Sequence, residues 1–181
     1  EKLIEFELEY NLENNIYYND DGKLKNLLNE SPGTKTNVLM EYFNIDKLNN
    51  GFREIGLVKT KINRLLFDEE AQKQGKENVF VPKEIGILLE QIYNRTFINK
   101  KISTEIEEIL LKQQINHKIP SKLPDDIEVA HKTGEDDGIT NDVGIVYAQK
   151  PFVIVFASND TDVPEFEQII REISYLCYKH S

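Results

Sequence analysis

The sequence predicts an α/β fold, with an antiparallel sheet flanked by helices and a second, all-helical part. Three apolar segments in the last third predict the sheet, at residues 127–131, 142–147 and 152–156. The turns between these segments are short, so we expect the three strands to be antiparallel neighbours. A helix is predicted from about Pro164 to Lys179, with a buried stripe formed by Phe166, Ile169, Ile170, Ile173 and Cys177.

The N-terminal part mixes strand and helix patterns. Residues 3–10 alternate apolar and acidic side chains, which is typical of a half-buried strand, and residues 16–18 predict its hairpin partner. A helix over residues 3–10 stays an alternative, because Glu and Leu favour helices. The next segments predict a short helix around Leu24, Leu27 and Leu28, a turn at residues 31–34 and a helix from about Thr36.

The middle of the chain predicts helices around a long ordered loop. Asn44 is placed to cap a helix, and Gly56 is placed to end it in the left-handed conformation. Residues 58–81 show no sustained periodicity beyond one helical turn, and loops of this length inside a compact domain are typically functional. Arg64 and Asp68 are expected to form an ion pair that shapes this loop.

Two more helices follow the loop. Pro82 begins an amphipathic helix. Thr104 and Glu107 have the spacing of a capping box at the start of another, which would bury Ile106, Ile109 and Leu110. We therefore expect a single domain of two lobes, with a cleft between them as the natural ligand site. Residues 1–25 and 121–181 would form the sheet lobe, and residues 26–120 the helical lobe.

Composition argues against several function classes. The chain has 22 Lys and Arg against 32 Asp and Glu, for a net charge of −10, whereas proteins that bind nucleic acid or anionic lipid usually present a basic surface. The single cysteine, Cys177, rules out an internal disulfide framework. No apolar stretch approaches the roughly 20 residues needed to cross a bilayer, so we expect no membrane insertion.

Residues 132–135, which we call the ledge, carry the most chemical information. At a strand end, Lys132, Thr133 and Gly134 place an ammonium, a hydroxyl and backbone N–H groups along one edge. Such an edge can hold a substrate carboxylate and a developing oxyanion. The triplet alone is a common strand end, so its weight depends on the surrounding motifs. The neighbouring His131 is expected to be a solvated strand residue.

Taken in order, the motifs resemble the class A β-lactamase-like serine hydrolases, relatives of the penicillin-binding proteins. Residues 123–135 and 142–147 resemble the family's Lys-Thr-Gly strand and the hairpin after it. Residues 36–39 and 52–57 are similar to the helices after its Ser-Asp-Asn loop, and residues 63–82 to its omega loop. The resemblance implies a sheet lobe and a helical lobe with the active site between them, and β-lactams or peptidoglycan peptides as ligands.

The same resemblance implies roles for the ledge. Lys132 and Thr133, beside Gly134, would hold the substrate carboxylate, and the backbone N–H of Glu135 would supply half of an oxyanion hole.

His117 and His180 have no partners at metal-ligand spacing, so we expect neither a metal nor a cofactor. Export to the cell envelope is expected from the resemblance alone.

Parts of the family's catalytic apparatus are missing from this sequence. The family's nucleophile lies in a Ser-x-x-Lys motif, and no such motif occurs in these 181 residues. Ser31 stands in place of the serine of the second motif and is the one catalytic candidate, although a turn or a helix cap is its simpler role. Leu66 stands where the lactamases have the glutamate that activates the deacylating water.

Three functional hypotheses follow. In the first, the chain is the larger part of a β-lactamase-type or DD-peptidase-type serine hydrolase, inactive or weakly active because these groups are missing. Whether the nucleophile segment lies outside the sequence or has been lost stays open. In the second, the protein is a non-catalytic relative that binds a wall fragment or a protein partner. The third is an acidic structural domain unrelated to the family.

Overall fold

The structure, a computed structural model, describes residues 16–18, 24–26 and 32–181. Ser31 and the strand predicted at residues 3–10 lie outside the described residues. The chain divides into two compact units, Glu1–Glu84 and Ile85–Ser181. The division into lobes predicted from the sequence has different boundaries and stays a prediction. No helix in the described ranges has both the length and the apolar composition needed to cross a membrane.

The described residues of the first unit contain a hairpin and three complete helices. Strands β1 (Ile16–Tyr18) and β2 (Leu24–Asn26) pair antiparallel. The helix predicted from Leu24 is therefore wrong over β2, because pairing with β1 supplies backbone hydrogen bonds that a short isolated helix cannot maintain. The helices are α1 (Pro32–Phe43), α2 (Ile45–Glu54) and α3 (Glu69–Lys73), and α4 (Pro82–Tyr93) begins at the end of this unit.

Local signals set most of these helix limits. The turn predicted at residues 31–34 is wrong from Pro32 onward, because proline fits the first helical position, where no N–H is needed. Asn44 caps α2 as predicted, since its side chain accepts from the N–H of Asp46 at 2.9 Å. Gly56 has a φ of 91°, which confirms the left-handed position after α2.

Polar contacts hold the loop between α2 and α4. Arg64 is buried and donates from Nη2 to Oε2 of Glu77 at 2.9 Å. The predicted pair of Arg64 with Asp68 is wrong, because Asp68 instead caps α3 by accepting from the N–H of Ala71 at 3.0 Å. A helix N-terminus presents free N–H groups that an aspartate satisfies well.

The second unit is built on a three-stranded antiparallel sheet in the order β3-β4-β5. Its strands are β3 (Val129–Asp136), β4 (Ile139–Val146) and β5 (Phe152–Phe156). Because only Asp137 and Gly138 separate β3 from β4, the ladder continues up to the turn. The predicted strand 127–131 therefore starts and ends too early, and Lys132, Thr133 and Gly134 lie inside β3 rather than at its end.

Besides most of α4, the helices of this unit are α5 (Lys100–Leu110), a 3₁₀ helix (Ile119–Lys122) and α6 (Val163–Lys179). The capping box predicted for Thr104 and Glu107 is wrong, because the cap of α5 lies five residues earlier, at Asn99, which accepts from the N–H of Ile102 at 2.9 Å. Its buried residues are Ile102, Ser103 and Glu107, while the predicted Ile106, Ile109 and Leu110 are half-buried.

Glu107 instead belongs to a buried polar network. Its carboxylate accepts from Nη1 of Arg95 at 2.8 Å and from the hydroxyl of Tyr147. This network ties α5 to the residue that follows β4. Burial and the hydrogen bond with Glu107 raise the pKa of Tyr147 above its ordinary value.

The core lies between the sheet, the 3₁₀ helix and α6. Its buried members are Ile119, Leu123, Val129, Val146, Ala148, Phe156 and Ile170. Within α6, Ile170 and Ser174 are fully buried, whereas Ile169, Ile173 and Cys177 are exposed. The predicted stripe is therefore wrong at those three positions, since adjacent apolar residues such as Ile169 and Ile170 do not fix which side of the helix faces the sheet.

Candidate functional site

The ledge lies on a strand that has a free edge among the described strands, because β3 pairs only with β4. The N–H of Tyr147 donates to the carbonyl of Glu128 at 3.0 Å, so these opposite residues form a hydrogen-bonded pair. Hydrogen-bonded and non-hydrogen-bonded pairs alternate along an antiparallel ladder. The N–H groups of Thr133 and Glu135 therefore point away from β4, toward the free edge.

Thr133 and Lys132 project from opposite faces of β3, because side chains alternate along a strand. Thr133 is 5% exposed, and no hydrogen bond engages its hydroxyl within the described ranges. Packing does not require a glycine at position 134, since a Cβ added there would meet only atoms of Asn141, at 3.8 Å. The face of Thr133 therefore offers a free hydroxyl to a ligand.

The ammonium of Lys132 donates to the carbonyl of Thr133, next to the free edge. Burial around this group lowers the pKa of Lys132 below the ordinary 10.5; the charge of Asp142 opposes the shift and that of Lys118 adds to it. The residue as a whole is nevertheless exposed. Lys132 can therefore reach a ligand at the edge of β3.

His131 is buried and paired, which overturns its prediction as a solvated residue. It is 1% exposed, and its Nδ1 lies 2.9 Å from Oδ1 of Asp142, which is fully buried. Its Nε2 lies 3.1 Å from Oδ1 of Asn116. The second oxygen of Asp142 accepts from the N–H of Ile119 at 3.0 Å. The pair thus joins β3 and β4 to the 3₁₀ helix directly beneath the ledge.

Gly144 makes this close packing possible. It lies opposite His131 in the strand register. A Cβ at this position would lie 2.6 Å from Cβ of His131 and 2.9 Å from the carbonyl oxygen of Ala130. Because real Cβ atoms do not approach other atoms this closely, only glycine fits here without movement of β3.

Lys118 is a site residue that sequence reasoning missed. Its side chain is fully buried, and its Nζ lies 3.0 Å from Oε1 of Glu135 and 3.3 Å from the carbonyl oxygen of Asn141. Glu135 is on the same face of β3 as Thr133. The site thus carries a second cation, on the face opposite that of Lys132. A lysine before the 3₁₀ helix gives no periodic signal for this role.

A cluster beside Lys118 has side chains of the types that bind metals. Ligand atoms of His117, Glu135 and Glu167 lie within 4.8 Å of one another, although the three residues are far apart in the sequence. Lys118 and Arg171 already face the two carboxylates, at 3.0 Å from Glu135 and 3.5 Å from Glu167. A metal ion would therefore have to compete with two internal cations.

Hydrogen bonds also stabilise the charged form of Glu167. Burial raises the pKa of this carboxylate, but hydrogen bonds from His117 and Thr140, together with the charge of Lys118, outweigh burial and hold the pKa below the ordinary 4.5. The distance is 3.2 Å from Oε1 to each partner atom, Nε2 of His117 and Oγ1 of Thr140. Glu167 is therefore a fully engaged structural acid rather than a free base.

In the first unit, the side chain of Asn37 holds the backbone of the loop residue Leu66 in place. Its N–H donates to Asn37 at 2.7 Å, and its carbonyl accepts from the same side chain at 2.8 Å. The leucine side chain has no acid–base chemistry, so this position supplies no general base. Ser31, the catalytic candidate, lies outside the described residues.

Comparison with known proteins decides the family. A model of the β-lactamase enzyme family matches residues 15–181. The chain belongs to this family. Among curated proteins, no sequence is significantly similar to that of this chain. The mixed α/β architecture of this β-lactamase-family protein also matches solved structures.

Three solved structures illustrate the match. The TLA-1 extended-spectrum β-lactamase is 25% identical over 78% of this chain and 56% of its own, with a TM-score of 0.66. PBP-A is 22% identical over 88% and 62%, with a TM-score of 0.71. A class A β-lactamase from Bacteroides cellulosilyticus is 23% identical over 84% and 60%, with a TM-score of 0.67. The chain therefore spans about three fifths of the length of these proteins.

Proposed function

We propose that this β-lactamase-family protein binds β-lactams or peptidoglycan peptides at its ledge, without turning them over on its own. The observation that supports this proposal is the arrangement around Thr133. In the described part of the chain, the hydroxyl of Thr133 has no hydrogen-bond partner and the free edge of β3 carries the N–H of Glu135. Lys132 lies on one face of the strand, and Lys118, paired with Glu135, lies on the other. Cations and N–H donors in this arrangement suit a ligand carboxylate and a polarised carbonyl.

The proposed lack of turnover rests on the missing reactive groups. The 181 residues contain no Ser-x-x-Lys, and Leu66 cannot deprotonate a water molecule. Binding of a lactam is compatible with the fold, since one similar structure is a leucine-to-glutamate variant of PBP-A in an acyl-enzyme complex with penicillin G. That protein is 22% identical to this chain, so the likeness concerns the fold.

A fluorescent penicillin tests the proposal in two readouts. Fluorescence polarisation is expected to show saturable, reversible binding, and intact mass measurement is expected to show no adduct. Lys132→Ala should weaken binding about tenfold, because it removes a charge-assisted hydrogen-bond donor. Lys150→Ala, an exposed lysine between β4 and β5, should leave the affinity unchanged. A covalent adduct would overturn the non-catalytic proposal, and absence of saturable binding would overturn the ligand class.

A further inference from the structure

The carboxylate of Glu135 lies where a ligand anion would be expected. Glu135 follows Thr133 by two residues, so the two side chains share a face of β3. On that face the Glu135 carboxylate lies 3.0 Å from the ammonium of Lys118. The only other hydrogen bond of that ammonium within the described ranges is to the carbonyl of Asn141, at 3.3 Å. Glu135 is therefore the carboxylate in direct contact with Lys118, while the charge of Glu167 acts on Lys118 from farther away.

We propose that the Glu135 side chain is an internal anion that competes with ligand carboxylates for Lys118 and so determines the charge specificity of the ledge. The inference rests on the proposed function for the location of the ligand. This competition predicts that Glu135 disfavours the binding of ligand carboxylates at this site more than the binding of neutral ligand groups. Removal of the Glu135 charge should then convert the ledge into a stronger carboxylate binder.

Burial explains why Lys118 must always have an anionic partner. The lysine side chain is 0% exposed, and a buried ammonium without a counter-charge is strongly destabilising. Glu135, in contrast, is 51% exposed and stands on a strand with a free edge. Its side chain can therefore rotate toward solvent when another carboxylate replaces it. The exchange costs the Lys118–Glu135 attraction, which lowers the net affinity for anionic ligands.

The neighbouring acids cannot substitute for Glu135. Glu167 is engaged by His117, Thr140 and Arg171, and Asp142 by His131 and Ile119. In the described part of the chain, the one ion pair of Glu135 is with Lys118, although its charge also acts on Lys132. Among the described acids near the ledge, Glu135 is thus the one that a ligand can displace by breaking a single ion pair.

Acetate, the smallest carboxylate probe, tests the inference without lactam recognition. Binding to the 181-residue chain is followed through the backbone amide NMR signals of Thr133, Gly134 and Asp136. Glu135→Gln keeps an acceptor for Lys118 but removes the charge, and we expect it to bind acetate about fivefold more tightly than the parent protein. Asp137→Asn, an equal charge change in the exposed turn, should alter the affinity less than twofold.

A second variant, Glu135→Asp, controls for a folding defect in Glu135→Gln. Glu135→Asp keeps the charge but shortens the side chain, so it should give a smaller gain than Glu135→Gln. Equal acetate affinity in Glu135→Gln and the parent protein, or an equal gain in Asp137→Asn, would overturn the inference. Failure of the proposed function is a separate result, since it would appear as missing penicillin binding in every variant while acetate still distinguished Glu135→Gln.

Discussion

The Nδ1 atom of His131 lies 2.9 Å from Oδ1 of Asp142, and both side chains are buried. The pair precedes the ledge on β3 and joins it to β4. Through the second oxygen of Asp142 it also holds the N–H of Ile119, at the start of the 3₁₀ helix. The position of Lys132 and Thr133 therefore depends on a buried polar contact beneath them.

Asp142→Asn should destabilise the protein by about 3 kcal/mol, because asparagine has one acceptor oxygen where the two oxygens of Asp142 engage both His131 and the N–H of Ile119. Urea unfolding followed by circular dichroism measures the change. Asp126→Asn, an exposed residue of the same type, should change the free energy of unfolding by less than about 0.5 kcal/mol. Equal effects of the two substitutions would contradict the structural role of the pair.

Gly144→Ala should also destabilise the second unit, by about 1–3 kcal/mol, because its Cβ would lie within 2.6 Å of His131. Gly134→Ala is the matched control, since its Cβ meets no atom closer than 3.8 Å. Thermal unfolding of both variants gives the comparison. A Gly134→Ala variant as unstable as Gly144→Ala would show that backbone freedom, rather than close packing, is what glycine provides.

Glu107→Gln should destabilise the protein by about 3 kcal/mol, because the charge that pairs with Arg95 is lost from a buried position. The substitution should also lower the pKa of Tyr147, which the hydrogen bond with Glu107 raises. Tyrosine absorbance titration, with Tyr147→Phe to identify the signal, measures this shift. An unchanged pKa of Tyr147 in Glu107→Gln would show that Glu107 does not raise this pKa.

Lys132 is expected to lose its proton at a lower pH than an ordinary lysine, because burial lowers its pKa below 10.5. When the folded-state pKa of a lysine is lower than its pKa in the unfolded chain, keeping the lysine charged destabilises the fold at pH values below the folded-state pKa. That cost disappears as the pH rises toward 10.5. NMR titration of the Lys132 side chain, assigned with Lys132→Arg, measures the midpoint directly. A midpoint at or above 10.5 would contradict the burial of the ammonium.

The sequence predicted the framework of the site better than its interior. A continuous apolar run located β5 at residues 152–156, and helical periodicity located the last helix to within a residue at its start. The motif order predicted the β-lactamase fold, which the family match confirms. These features are local in the sequence, so short-range patterns contain them.

The interior depended on contacts between distant residues. His131 reads as a solvated strand residue until Asp142, 11 positions away, is brought beside it. Lys118 and Glu135 come from different elements, and neither side chain predicts the other. Residues 169 and 170 are both isoleucines, so periodicity alone left the rotation of α6 undetermined. Long-range pairing therefore decided what sequence patterns could not.

Amide NMR mapping with penicillin G tests the central claim, that the ledge is the ligand site, most directly. We predict the largest shift changes at residues 131–136 of β3, with saturation at increasing ligand and loss of the response in Lys132→Ala. The Lys150→Ala variant should give the parent pattern. Shift changes confined to residues outside β3 and its neighbours, or no change at high ligand concentration, would contradict the claim.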